Sequence, residues 1–138
     1  MAEHSFRPLL AVLLPFALLA IQCQPVTSTE VGSPSDTQIQ SMDFSIDTTY
    51  VSYYSSLTAS GKVFNHGTSP VTPPWYVECQ FYSDSMYTLK LGGNNMQITI
   101  PLSVGQGTLW TISFSPPTGA AQQYPKFKIS NLRAIYKK

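Results

Sequence analysis

The chain has 138 residues, a formal net charge of +1 and 11% charged residues, which leaves room for one folded domain and no general field to draw nucleic acid or an acidic substrate. Aromatic residues at 12%, with Ser, Thr, Tyr, Val and Ile recurring throughout, are the mix of pleated, half-buried surfaces and place the chain in the all-β class. Two cysteines, Cys23 and Cys79, are too few for a disulfide scaffold, so the fold must rest on its core.

Leu9 to Ile21 form an apolar run preceded by Arg7, the length of a signal-peptide core and short of the roughly 20 apolar residues a membrane-spanning helix needs. Pro15, inside the run, further disfavours a permanent span. The run closes on Leu19-Ala20-Ile21-Gln22-Cys23, which resembles the lipobox of bacterial lipoproteins, with Gln22 standing where that family has a small residue. The resemblance implies a signal peptide over residues 1–23 and acylation at Cys23; the alternative is a secreted protein. Residues 24–40 are rich in Ser, Thr, Pro and Gln and lack the apolar surface to repay ordering, so they read as a tether. Seventeen such residues reach on the order of 20–25 Å end to end. The folded domain is expected over residues 41–138.

From Phe44 onward apolar residues recur with period two between closely spaced turn signals, which predicts about seven short antiparallel strands. The first two are Phe44 to Ser52, with Phe44, Ile46 and Tyr50 on one parity, and Leu57 to Asn65, ending at Asn65-His66-Gly67. The third, Trp75 to Tyr82, puts Trp75, Val77, Cys79 and Phe81 on one face, so Cys79 is expected inside as a small hydrophobe. Gly92-Gly93-Asn94-Asn95 reads as a hairpin turn between strands Tyr87 to Leu91 and Met96 to Val104. In the latter Met96, Ile98, Ile100, Leu102 and Val104 form the dry face, and Pro101 makes it an edge strand or breaks it. Leu109 to Phe114 follows, with Trp110, Ile112 and Phe114 inward. The last strand, Phe127 to Tyr136, changes parity near Ser130-Asn131, which predicts a bulge and a switch between sheets. Such strands are most economically buried as an immunoglobulin-like two-sheet antiparallel sandwich, a small barrel being the other closure.

The order of residues also resembles a family. Gly61-Lys62-Val63-Phe64-Asn65-His66-Gly67, then Phe81-Tyr82-Ser83-Asp84, then Leu102-Ser103-Val104-Gly105-Gln106 are similar to the FxLYD-type immunoglobulin-like domains of bacterial and archaeal surface proteins. The resemblance spans roughly residues 44–136 and implies an extracytoplasmic accessory or interaction module with no catalytic residues to carry over.

Catalytic patterns are missing from the sequence. His4 lies in the leader and His66 in a turn, so no His-Asp-Ser set or metal-ligand cluster is visible, and no cofactor is expected. Asp43, Asp47, Glu78 and Asp84 have no spacing that implies facing carboxylates, and neither Gly92-Gly93 nor Gly105-Gln106-Gly107 leads into a phosphate-binding helix. Tyr76 and Tyr82 fall on the outward parity of the third strand and are candidates for partner contact, either with an envelope protein or, in a carbohydrate-binding module, with a glycan. Lys126, Lys128, Arg133, Lys137 and Lys138 make the C-terminal end basic. The expected function is thus that of a non-catalytic, monomeric interaction module at the cell envelope, attached to the membrane through lipid and without nucleic-acid partners.

Overall fold

A computed structural model describes residues 31–53, 55–117 and 121–138. Two antiparallel sheets hold the strands β1 (Thr37–Gln38), β2 (Met42–Val51), β3 (Leu57–Asn65), β4 (Trp75–Tyr82), β5 (Lys90–Ile98), β6 (Gly107–Phe114) and β7 (Lys128–Tyr136). The four-stranded sheet runs β1-β7-β4-β5 and the three-stranded sheet β2-β3-β6. The chain is an all-β sandwich whose β2-β3-β6 and β7-β4 neighbours follow the immunoglobulin-type order. In that order a C-terminal strand sits beside the equivalent of β7; here β1, from the N-terminal side, takes the place. Among the described residues no helix is long and apolar enough to cross a membrane.

The core follows from alternation on the central strands. Trp75, Val77, Cys79 and Phe81 on β4 are fully buried, and Trp110, Ile112 and Phe114 on β6 meet them from the other sheet. Phe81 stacks on Phe114 at 5.6 Å between ring centroids and lies 5.9 Å from Phe127. Burial, with the nearby Glu78 charge second, pushes the Cys79 thiol up to about 12, so it stays protonated and packs as a hydrophobe.

Five expectations are corrected. The Gly92-Gly93-Asn94-Asn95 run is not a turn: it lies within β5, which pairs with β4 from Trp75↔Ile98 to Tyr82↔Lys90. Both glycines are needed for close approach, because a Cβ on Gly92 would meet the Phe114 ring at 2.4 Å and one on Gly93 would meet Val31 at 2.2 Å. β5 is an edge strand and ends at Ile98, before Pro101, so Ile100 and Val104 lie outside any strand and about half exposed. On β2 the register slips between Ile46 and Thr48, which leaves Ile46 and Tyr50 half exposed rather than inward. The bulge in β7 is present, with Asn131 at φ 52°, but β7 stays in one sheet.

The fifth correction concerns the tether. Residues 24–30 lie outside the described residues, whereas Thr37 and Gln38 pair with Tyr136 and Ile135, and the Ile39 amide donates to Ala134 O at 2.9 Å. Val31 reaches Gly93 on β5, and Gly32 lies 3.8 Å, measured from its would-be Cβ, from Arg133 Nη2 on β7. Residues 31–39 are therefore a strap across the outer face of the four-stranded sheet. Backbone pairing at Thr37, Gln38 and Ile39, with Ile39 packed on the core and Val31 against Gly93, holds them.

Next to the strap, the outward side chains Glu78 and Gln80 are buried, at 1% and 2% exposure. Gln80 Nε2 donates to Gly92 O, and Arg133 Nε donates to Glu78 Oε1 at 2.6 Å. Arg133 keeps 24% of its side chain exposed, so the two partners are unequal. Removing the arginine strands a buried carboxylate, whereas removing the acid frees a cation that can reach water. Arg133→Ala is accordingly expected to cost about 3–5 kcal/mol in denaturant unfolding and Glu78→Gln about 1 kcal/mol. Equal losses would show that the pair is solvated.

Candidate interaction surface

The two tyrosines singled out by parity sit at opposite ends of β4. Tyr76 is half-buried, with Lys137 Nζ 4.6 Å from its ring centroid. Tyr82 is also half-buried and meets Tyr87 edge to face, centroids 5.2 Å apart and planes at 85°. The structure does not bring them together, since the buried Glu78 and Gln80 lie between them. Cys23 lies outside the described residues.

Three exposed apolar side chains lie beyond the Tyr82 end of β4, in the loop Ser83 to Leu89, while others are spread over β2, β3, β6 and the β5–β6 connection. Met86 is 81% exposed, Leu89 52% and Tyr87 50%. The loop is organised by one carboxylate. Asp84 Oδ1 accepts from the Met86 amide at 2.9 Å, the Thr88 amide at 3.4 Å and the Thr88 hydroxyl at 3.2 Å, while Ser83 Oγ donates to Oδ2 at 3.1 Å. The Tyr87 amide donates to Asp84 O at 3.2 Å, and the Ser83 amide closes the loop on Leu89 O at 3.0 Å. Within this frame Tyr87 is held at φ 56°, a left-handed conformation that costs a bulky side chain free energy unless its surroundings impose it. A loop that spends strain and a carboxylate to hold three apolar side chains in water is preorganised for contact.

Lysines surround it. Tyr82 pairs with Lys90 on β5 and with Lys128 on β7, which places both ammonium groups in its outward row. A cavity of about 390 Å³ lies beside the loop between Tyr87, Ile46, Asp47, Thr48, Lys128 and Ile129. A second, of about 360 Å³, is lined by Ser85, Thr49, Pro125, Lys126, Phe127 and Lys128. Among the described residues none of Lys90, Lys126 and Lys128 is within ion-pair distance of a carboxylate. The one acid in these walls is Asp47. The chemistry on offer is apolar contact ringed by positive charge.

Sequence reasoning placed Tyr82 but missed the loop, although Phe81-Tyr82-Ser83-Asp84 was in view. The available signal was the acid itself: an Asp followed by Ser, Met, Tyr and Thr is the composition of an Asx-type turn. For catalysis, the described residues contain no group of three or more His, Cys, Asp or Glu side chains placed to hold a metal ion.

What fold and surface define is a β-sandwich presenting a preformed apolar loop within a basic surround. No protein-family model matches the chain, and no curated protein or solved structure shows significant similarity to it.

Two measurements check this geometry. Desolvation pushes the Asp84 carboxyl upward, but the amide and hydroxyl bonds from Thr88, Met86 and Ser83 outweigh it and hold the group below its ordinary value of 3.8. Because the folded value is the lower one, the stabilisation is present above the unfolded value and is lost as pH falls through the folded one. The Met86 and Thr88 amide shifts should therefore follow Asp84 with a midpoint below 3.8, and Asp84→Asn should abolish that transition. A midpoint at or above the ordinary value would contradict the bonded loop. Separately, Cys79, buried and raised to about 12, should resist alkylation at mildly alkaline pH in the native protein and react once denaturant is added. Rapid native labelling would mean that the core opens.

Proposed function

We propose that the chain is a non-catalytic interaction module, held on the outside of the cell envelope by acylation of Cys23 and meeting its partner through the loop Ser83–Leu89. The observation that carries the interaction role is that loop: three exposed apolar side chains fixed by the Asp84 carboxylate at one end of a rigid sandwich. Scattered exposed apolar residues need no explanation, but a cluster on a preorganised and strained turn does. The resemblance to FxLYD-type domains and to the lipobox supports the same role and the same compartment. A glycan-binding reading through Tyr76 and Tyr82 has weaker support, because the two stand at opposite ends of β4 with the buried Glu78 and Gln80 between them.

The anchoring half is tested by the mass of the mature N-terminus isolated from the native host, together with fractionation of Cys23→Ser. An acylated Cys23, membrane-bound at high salt and released by detergent, is expected, with the Cys23→Ser protein no longer processed and located like the parent. An unmodified Cys23 would leave a secreted module.

A further inference from the structure

We propose that the Ser83–Leu89 loop, with Lys90, Lys126 and Lys128 around it, rests on the surface of an anionic lipid bilayer, the side chains of Met86, Tyr87 and Leu89 entering the headgroup region. The proposal rests on the anchored-module reading and names the partner of that same loop.

Three observations lead there. The first is composition. Aliphatic and amphipathic aromatic tips flanked by unpaired lysines are what an interfacial segment needs, since the tips gain apolar burial while the ammonium groups meet lipid phosphates. Each lysine close to an anionic surface is worth roughly fivefold in partitioning, and there are three of them at this end. Against the three lysines stand the Asp84 carboxylate in the loop and Asp47 in the adjoining wall, so positive charge prevails by one.

The second is the strap. Because residues 31–39 belong to the domain, only Gln24 to Glu30 separate Cys23 from it, so the domain has a leash of seven residues rather than the seventeen the sequence suggested. Seven residues span at most about 25–30 Å even when fully extended, so a domain acylated at Cys23 stays within that distance of the bilayer.

The third is where the leash joins. Val31 sits on Gly93, three positions along β5 from Lys90, or about 10 Å at the strand repeat. Val31 thus lies near the middle of the four-stranded sheet, three residues along β5 from Lys90 and five from Ile98. Val104 lies toward the end opposite the loop, in the connection that follows β5 and close to the Asn65 end of β3.

The test uses the full chain attached to vesicles through its own N-terminal region, with an environment-sensitive fluorophore on Met86→Cys or, as the distal control, on Val104→Cys. Both positions are exposed, and the buried Cys79 thiol stays unlabelled. Spin-labelled lipid in phosphatidylglycerol-containing vesicles is expected to quench position 86 several-fold more than position 104. The contrast should collapse in pure phosphatidylcholine, at high salt, and in Lys126→Ser/Lys128→Ser. Equal quenching at the two positions in a chain that floats with the vesicles would overturn the docking and leave the loop as a protein-binding surface, with the anchor intact. Preferential quenching at position 86 in a Cys23→Ser chain, which has neither lipid nor a second reactive thiol, would support the docking independently of the anchor. A chain that does not float at all would overturn both.

Discussion

A single amide organises one end of this sandwich. Asn65, the last residue of β3, is fully buried; its Nδ2 donates to Ser69 O at 2.9 Å and Leu102 O at 3.1 Å, and its Oδ1 accepts from the Gly67 amide at 2.9 Å and Ser41 Oγ at 3.4 Å. Its backbone adds a bond to Gln106 O at 2.9 Å and one from the Gly105 amide at 2.7 Å. Buried polar groups must find partners, and three segments flanking the strands here find them on one residue. The entry to β2, the β3–β4 connection and the β5–β6 connection are thereby fixed to each other. The mutual Val71–Leu102 bridge and the Trp75 Nε1 bond to Ile100 O complete the seam.

The legible parts of the fold are those where one strand carries one message. β4 and β6 alternate cleanly, and Trp75, Val77, Cys79, Phe81, Trp110, Ile112 and Phe114 lie where their parity puts them. The Gly61-x-Val63-x-Asn65-x-Gly67 pattern was visible too, and Asn65 now supplies its physical reason. β5 was illegible because Gly92 and Gly93 carry the usual turn chemistry while serving another need, backbone approach to Phe114 on one side and to Val31 on the other. Asn94 hides a similar role: its Nδ2 donates to Ser113 O at 2.7 Å, linking the edge of one sheet to the edge of the other. β1 was illegible because two residues have no periodicity, and their order comes from a partner strand a hundred residues away.

The functional reading divides along the same line. Outward parity located Tyr76 and Tyr82 correctly, but parity reports direction and not exposure; the strap, the Glu78–Arg133 pair and Lys137 decide what water reaches. The loop that carries the proposal has no periodicity at all. Its information is in one acid and the spacing of the groups that bond to it, which becomes meaningful only once the left-handed Tyr87 shows that the backbone has been bent to place side chains outward.

The bulge in β7 ties these observations together. Ile129 pairs with Phe81 on the core face; without an extra residue, Arg133, four positions on, would share that face and bring a guanidinium into the aromatic cluster. Asn131, at φ 52°, absorbs one residue and reverses the parity beyond it, so Ala134 meets Val77 inside and Arg133 meets Glu78 outside. Asparagine tolerates the left-handed region better than most side chains, which makes it an apt residue for the position. The same reversal sets Ile135 opposite both Tyr76 and Gln38, the pairing through which β1 joins the sheet. One left-handed residue thus keeps the core dry, seats the buried ion pair and fixes where the strap joins the sheet.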